Sequence, residues 1–251
     1  MALERSRLDG KVAIVTGGAK GVGRGVAGVL AEAGAAVVVM SRTRADVDAA
    51  VESIRAEGGR AAGFAGDVLT SESRERLVRT ALDEFGRLDI VVNNAGGARP
   101  ARFQEITEDK FMNDFRFNVV QAFLLSQMAV PHMMKNEEGA IVNISSRASS
   151  VGTPEFLTYS VVKAALEQLT VMMARNLAPK IRVNAISLGM VMTDALRRHL
   201  SASEVPQDKL LDRIPLHRIG EVEDVGLAAL YLCSRNCYVT GHVLNIDGGR
   251  S

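Results

Sequence analysis

The sequence predicts an α/β protein: one doubly wound, parallel, seven-stranded sheet with helices on both faces. Three observations carry this. Short runs rich in Val, Ile and Ala alternate along the whole chain with longer segments of helical period. Glycine or proline stands where those helices would stop, and a glycine-rich turn follows the first run directly.

The strands are predicted at 12–16, 36–40, 61–64, 90–93, 140–145, 181–186 and 243–246, near-continuous apolar runs of the kind that parallel sheets bury on both sides. Between them, apolar residues recur at three and four over 22–33, 45–57, 71–85, 110–135, 158–177 and 221–232, which predicts helices. Gly34 ends the first, Gly58-Gly59 the second, Gly86 the third and Pro179 the fifth. The stretch 188–215 is too long for an ordinary connection and mixes Met190, Met192, Leu196 and Leu200 with charges, the pattern of a lid or binding loop.

At 251 residues the chain fits one large domain better than two. Its 47% hydrophobic and 24% charged residues exclude a disordered, collagen-like or coiled-coil protein. With 30 basic against 29 acidic side chains the net charge is +1, so no global field recruits nucleic acid or an anionic membrane surface. Cys233 and Cys237, in a segment that reads as helical, are too few for a disulfide framework or a zinc site and are expected to be reduced. His132, His199, His217 and His242 are scattered, so no metal centre is expected. The N-terminal residues lack an apolar signal region and no apolar run approaches the ~20 residues of a membrane span; a cytoplasmic protein is expected.

The first strand leads into Thr16-Gly17-Gly18-Ala19-Lys20-Gly21-Val22-Gly23. Without side chains there, backbone N–H groups at a helix start can approach a pyrophosphate, with the helix dipole favouring the negative charge. An acidic residue at the end of the second strand would hold the ribose 2′-OH of NAD. Here that place reads Met40-Ser41-Arg42-Thr43-Arg44. Arg42, with Lys20 and Arg44, suits the extra 2′-phosphate of NADP(H), with NAD(H) or dual specificity as the alternative.

Tyr159 and Lys163, four apart, project from one face of a helix. A close ammonium would favour the phenolate and turn a poor proton carrier into a useful one. Ser146 precedes them just past the fifth strand, and Asn93-Asn94-Ala95-Gly96 closes the fourth.

Together, Thr-Gly-x-x-x-Gly-x-Gly, Asn-Asn-Ala-Gly, a helical asparagine, a serine and Tyr-x-x-x-Lys, in this order, resemble the short-chain dehydrogenases/reductases of about 250 residues. The resemblance spans essentially the whole chain and implies a single Rossmann-fold oxidoreductase domain over 1–251. It implies that Tyr159 is the general acid or base, that Lys163 lowers its pKa and holds the nicotinamide ribose, and that Ser146 orients the substrate oxygen. Asn118 would hold a water that relays protons through Lys163. For the cofactor it implies Gly17, Lys20, Gly21, Val22 and Gly23 at the phosphates, and Ser41 and Arg42 at the 2′ position. Asp67 and Val68 would bracket the adenine, Asn94, Ala95 and Gly96 would meet the adenosine ribose, and Gly189, Val191 and Thr193, with the Ile186 backbone, would meet the nicotinamide. Leu188-Gly189 departs from the usual Pro-Gly, and Val162 stands where relatives often carry a small residue.

The expected substrate is a secondary alcohol or ketone, apolar or steroid-like given the lid's methionines and leucines, which adapt to irregular apolar shapes. A 3-oxoacyl thioester reductase and a glucose-type sugar dehydrogenase are the alternatives, and a non-catalytic dinucleotide-binding regulator the alternative of another class. Arg99, Arg102 and Arg147 could flank the entrance and receive an anionic group. The apolar-striped helices from 110 and 158, with the tail Asn245-Ile246-Asp247-Gly248-Gly249, imply by the same resemblance a homotetramer.

Overall fold

The computed structural model describes residues 6–201, 207–235 and 237–249. The first five residues, 202–206 of the predicted lid and the side chain of His199 lie outside that description.

Seven strands, β1 (Val12–Thr16), β2 (Ala36–Ser41), β3 (Arg60–Ala65), β4 (Ile90–Asn93), β5 (Gly139–Ser146), β6 (Ile181–Leu188) and β7 (Val243–Ile246), form one sheet in the order β3-β2-β1-β4-β5-β6-β7. Every neighbouring pair is parallel. Successive side chains on a strand point to opposite faces, and the core divides accordingly. Ala13, Val15, Val37, Val39, Ile90, Val92, Val142 and Ile186 meet helices α1 (Gly21–Glu32), α2 (Arg44–Ala56) and α10 (Val222–Cys233). Val12, Ile14, Val38, Met40, Val91, Ile141, Ile181 and Val183 meet α3 (Ser71–Phe85), α5 (Gln121–Met133) and α7 (Leu157–Leu177) on the other face. This is the doubly wound Rossmann arrangement. Chain order reverses between β1 and β4, and there connections leave to opposite sides and open a crevice at the carboxyl ends of the strands.

One buried polar chain runs under that crevice. Asn93 Nδ2 donates to Asn143 Oδ1 at 2.8 Å, and Asn143 Nδ2 donates to Thr170 Oγ1 at 2.8 Å, linking β4, β5 and α7. Amides buried at 2% exposure or less would be costly without such partners.

The predicted helix over 110–135 is interrupted. It consists of α4 (Glu108–Phe115), a π-helical turn Arg116–Val120, and α5. The cause is Asn118, whose Nδ2 donates to the Asp114 carbonyl at 2.9 Å and to the Gly97 carbonyl at 2.8 Å, so a side chain competes with the backbone ladder and admits an extra residue. Sequence periodicity of three and four cannot register a single inserted residue. Strands β5 and β6 also run longer than predicted, to Ser146 and Leu188, which pair with each other; Ser146 is the last strand residue rather than the first beyond it.

Cys233 closes α10, but Cys237 lies past its end and is not helical. The Arg182 guanidinium donates to the carbonyls of Leu232 and Ser234 and so takes up the end of the helix. Both thiols are buried and unpaired, and burial pushes Cys233 up to about 12. The predicted lid contains two short helices, α8 (Asp194–Ser201) and α9 (Gln207–Leu211), with α6 (Ala148–Val151) lying between β5 and α7. Among the described residues no helix is long and apolar enough to cross a membrane.

Candidate active site

The crevice is built by two loops held against each other. Thr16, fully buried at the end of β1, accepts the N–H groups of Asn94 and Ala95 on Oγ1, each at 3.0 Å, and donates to the Val92 carbonyl at 3.4 Å. Asn94 Nδ2 donates back to the carbonyls of Thr16 at 2.9 Å and Gly17 at 3.2 Å. Asn94, expected to face a ribose, thus spends its amide on bracing the glycine loop. The closeness explains the glycines. Gly17 has φ +62°, and a Cβ on Gly23 would sit 2.3 Å from the Gly17 carbonyl oxygen and 2.5 Å from Asn94 Nδ2. Gly21, Val22 and Gly23 open α1 immediately after this turn, so the free N–H groups of the helix start face the crevice.

From Gly17 a cavity of about 810 Å³ extends past Met40, Ser41 and Arg42 to Gly66, Asp67, Val68, Leu69 and Arg74, with Asn94, Ala95, Gly96, Asn113, Asp114 and Arg116 on its opposite side. Of the cations expected at the 2′ position, only Arg42 is both exposed and without an acidic partner among the described residues. Lys20 is paired with Asp46 at 2.8 Å and Arg44 with Asp48 at 2.9 Å. Asp67 accepts the Leu69 N–H on Oδ1 at 2.9 Å, two residues beyond β3 rather than at its end. A glycine cradle that a Cβ would fill, a helix start and an unpaired arginine at the end of β2 fit an adenine dinucleotide.

Ser146, Tyr159, Lys163 and Asn118 come together at the other end of the crevice. Tyr159 and Lys163 share one face of α7, with Nζ 5.5 Å from the tyrosine ring centre, and Tyr159 shares a hydrogen bond with Ser146. Lys163 is 3% exposed and donates to the Ile144 carbonyl at 2.8 Å. Asn118 accepts the Gly97 N–H on Oδ1 at 2.9 Å. A Cβ on Gly96 would come within 2.8 Å of Asn118 Oδ1 and 3.2 Å of Lys163 Nζ, so the Asn-Asn-Ala-Gly loop is the joint on which Asn118 and Lys163 converge.

The electrostatics differ from the sequence expectation. Burial pushes the Tyr159 phenol above its ordinary value, partly opposed by the Ser146 hydrogen bond. Burial also lowers Lys163 to about 8, with Glu167 acting in the opposite direction. Glu167 is itself held by Ser145 Oγ, which donates to its Oε1 at 2.7 Å. Both amide hydrogens of Asn118 are committed to the carbonyls of Gly97 and Asp114.

The remaining expected residues are also placed. Thr193 lies against the glycine loop, 3.2 Å from where a Cβ of Gly21 would be, and its Oγ1 accepts the Leu196 N–H that starts the lid helix. Val191 is buried and bridges Gly220. Gly189 must be glycine: a Cβ would lie 2.7 Å from Asp247 Cα, so the loop is fixed by that approach and does without the usual proline. Ile186 is fully buried in β6. Of the three entrance arginines, Arg99 and Arg102 are exposed, whereas Arg147 is tied to Asp247 at 2.9 Å. The sequence reading passed over Thr16 as a joint and Arg74, Asn113, Asp114 and Arg116 as cavity residues. For Arg74 a signal existed, since it begins the i, i+3, i+4, i+7 apolar stripe of α3.

Comparison with known proteins agrees with this geometry. Residues 17–251 match the family model described as enoyl-(acyl carrier protein) reductase. The chain is 38% identical to 7alpha-hydroxysteroid dehydrogenase of Escherichia coli K12, over 97% of this chain and 95% of that protein. It is 34% identical to a 3-oxoacyl-(acyl-carrier-protein) reductase of Thermotoga maritima, over 97% and 98%. A solved structure of 7 alpha-hydroxysteroid dehydrogenase complexed with NADH and 7-oxo glycochenodeoxycholic acid superposes with a TM-score of 0.92 at 37% identity, covering 98% of this chain and 96% of that one.

The buried ammonium makes stability pH-dependent. Lys163 titrates near 8 in the folded chain against an ordinary 10.5, so below about pH 8 both states carry the proton and the cost of burying the charge is fully present. Between 8 and 10.5 the unfolded chain holds more protons, and stability rises with pH. Lys163→Met removes this term. Thermal midpoints of both proteins across pH 6–11 should differ by a constant amount below about 8 and shift in favour of the wild type above it; a pH-independent difference would contradict the buried-charge assignment.

Proposed function

Because the chain belongs to the short-chain dehydrogenase/reductase family, we propose that it interconverts a secondary alcohol and a ketone with NADP(H) as the preferred dinucleotide and an apolar, steroid-like substrate. The observation that carries the cofactor choice is Arg42: exposed at the rim of the cavity, without an acidic partner among the described residues, at the end of a strand that carries no carboxylate.

The nicotinamide, when bound, supplies or accepts the hydride. In the reducing direction Tyr159 protonates the carbonyl oxygen as negative charge develops there. A phenol raised by burial is fully protonated at neutral pH and ready for that task, and the Ser146 hydrogen bond steadies the phenolate it leaves. Ser146 also orients the substrate oxygen. Lys163 remains charged below about pH 8, supports the phenolate and holds the nicotinamide ribose, while Asn118 fixes the Gly96-Gly97 loop against it. Gly17, Lys20, Gly21, Val22 and Gly23 cradle the phosphates, Ser41 and Arg42 take the 2′ position, and Asp67 and Val68 the adenine. Asn94, Ala95 and Gly96 line the path between, and Gly189, Val191 and Thr193 flank the nicotinamide.

Support for an apolar substrate comes from the lid, where Met190, Met192 and Leu196 are half-buried, and from the similarity to a dehydrogenase captured with a bile-acid ketone. A second reading, a 3-oxoacyl thioester reductase, is favoured by the Thermotoga relative. The assembly that fits is a homotetramer, since Met112, Phe123, Val161 and Met172 on α4, α5 and α7 and Leu227 and Tyr231 on α10 are exposed.

Absorbance loss from NADPH and NADH over steroid ketones, acyl thioesters and sugars should show turnover with a bulky apolar ketone, and Tyr159→Phe should abolish it while binding NADPH nearly as well as wild type. Equal turnover by that variant would refute the mechanism, and its NADPH binding distinguishes a lost proton donor from a lost fold. Arg42→Ala should weaken NADPH roughly ten- to a hundredfold and leave NADH almost unchanged, the scale of a charge-assisted pair; an equal loss on both dinucleotides would overturn the NADP assignment. Light scattering should return a mass near four chains, and a monomer at every concentration would exclude the tetramer.

A further inference from the structure

Helix α3 buries Arg74, Leu77, Val78 and Ala81 along one face. Three of these are ordinary core residues on the sheet; the first is a cation only 5% exposed. Buried arginines are normally paired with a carboxylate, because a desolvated charge without compensation is expensive. Among the described residues Arg74 has no such partner. Nη1 donates to the Val68 carbonyl at 2.8 Å, Nε is sealed from solvent with no partner, and the nearest acidic influence is its exposed chain neighbour Glu75. Burial pulls the guanidinium below its ordinary value, yet a group of this basicity keeps its proton.

The guanidinium is nonetheless not shut away, for Arg74 lines the 810 Å³ cavity beside Gly66, Asp67, Val68 and Leu69. We propose that Arg74 is a recognition residue for the purine base of the dinucleotide, presenting its planar guanidinium to the π face of adenine. This rests on the reading of the cavity as a dinucleotide site. The two arginines of the cavity divide the work by solvation. Arg42 stands at the wet rim, where a hydrated phosphate can be met without stripping its water. Arg74 is buried on the cavity wall with Val68 and Leu69 also lining it, where a flat, neutral, electron-rich base loses little on entering and a cation lacking a carboxylate partner gains most. The Val68 carbonyl bond holds the guanidinium in place beforehand, so little freedom is lost on binding.

The test is titration calorimetry of 5′-AMP, NADH and nicotinamide mononucleotide against wild type, Arg74→Met and Arg74→Lys. Arg74→Met should weaken 5′-AMP and NADH about tenfold, the scale of one desolvated cation–π or hydrogen-bond contact, and leave nicotinamide mononucleotide unchanged. Its ligand-free thermal midpoint should be equal to or above that of wild type, because an uncompensated buried charge has gone. Arg74→Lys, which keeps the charge and loses the plane, should weaken 5′-AMP by less than the methionine variant and fold in either case. Wild-type affinity for 5′-AMP in both variants would overturn the proposal, as would an equal loss on nicotinamide mononucleotide. Failure of the wild type itself to bind 5′-AMP or NADH would overturn it together with the dinucleotide reading, whereas normal NADH binding with no effect of Arg74 would overturn it alone.

Discussion

The arrangement of the crevice depends on one buried hydroxyl. Thr16 sits where β1 ends and the glycine loop begins, and its Oγ1 receives two backbone N–H groups from the loop that follows β4. These strands are neighbours in the sheet but far apart in sequence, and their loops leave toward opposite sides, so nothing local to either loop would hold them together. The hydroxyl and the returning Asn94 amide do so. Once they are joined, Gly17 and Gly23 must lie at backbone-contact distance, the helix start faces the crevice, and Gly96 is delivered against Asn118 and Lys163.

A second consequence follows from burial. Lys163, beside Gly96, and Tyr159 are largely enclosed, and burial shifts both groups toward their neutral forms. The same protein that needs an ammonium beside a phenol makes the ammonium costly to keep. Two features offset the cost: the Ile144 carbonyl accepts from Nζ, and Glu167, held by Ser145, favours the charged lysine. The π turn at Arg116–Val120 belongs to the same economy of positions, since it lets Asn118 reach Gly97 without displacing Asp114, whose carboxylate accepts from Thr158 at 2.6 Å and Lys110 at 2.9 Å.

The sheet was legible because a parallel strand buried on both faces leaves an unmistakable apolar run, and because glycine and proline mark where helices must end. Ser71–Phe85 shows this well, its start set by Thr70, which accepts the Ser73 N–H, and its end by left-handed Gly86. The residues of the candidate site were legible as spaced motifs. What the motifs could not carry was partnership across the fold. Lys20 and Arg42 look alike in sequence, yet one meets Asp46 and the other meets nothing acidic among the described residues, and only folding of α2 against the glycine loop separates them. Asn94 and Asn118 read as residues for ligand and water, and nothing in their motifs shows that their amide hydrogens are taken by neighbouring backbone. The π turn stayed hidden because an inserted residue changes helical phase without changing composition.

The measurement that bears most directly on this account is the structure of the chain crystallised with NADPH. The account predicts a dinucleotide laid across the β1–β4 crevice over the Thr16–Asn94 joint, with its 2′-phosphate at Arg42 and its nicotinamide ring beside Tyr159 and Ser146. A dinucleotide bound away from that joint, or one whose nicotinamide end lies out of reach of Tyr159, would contradict it.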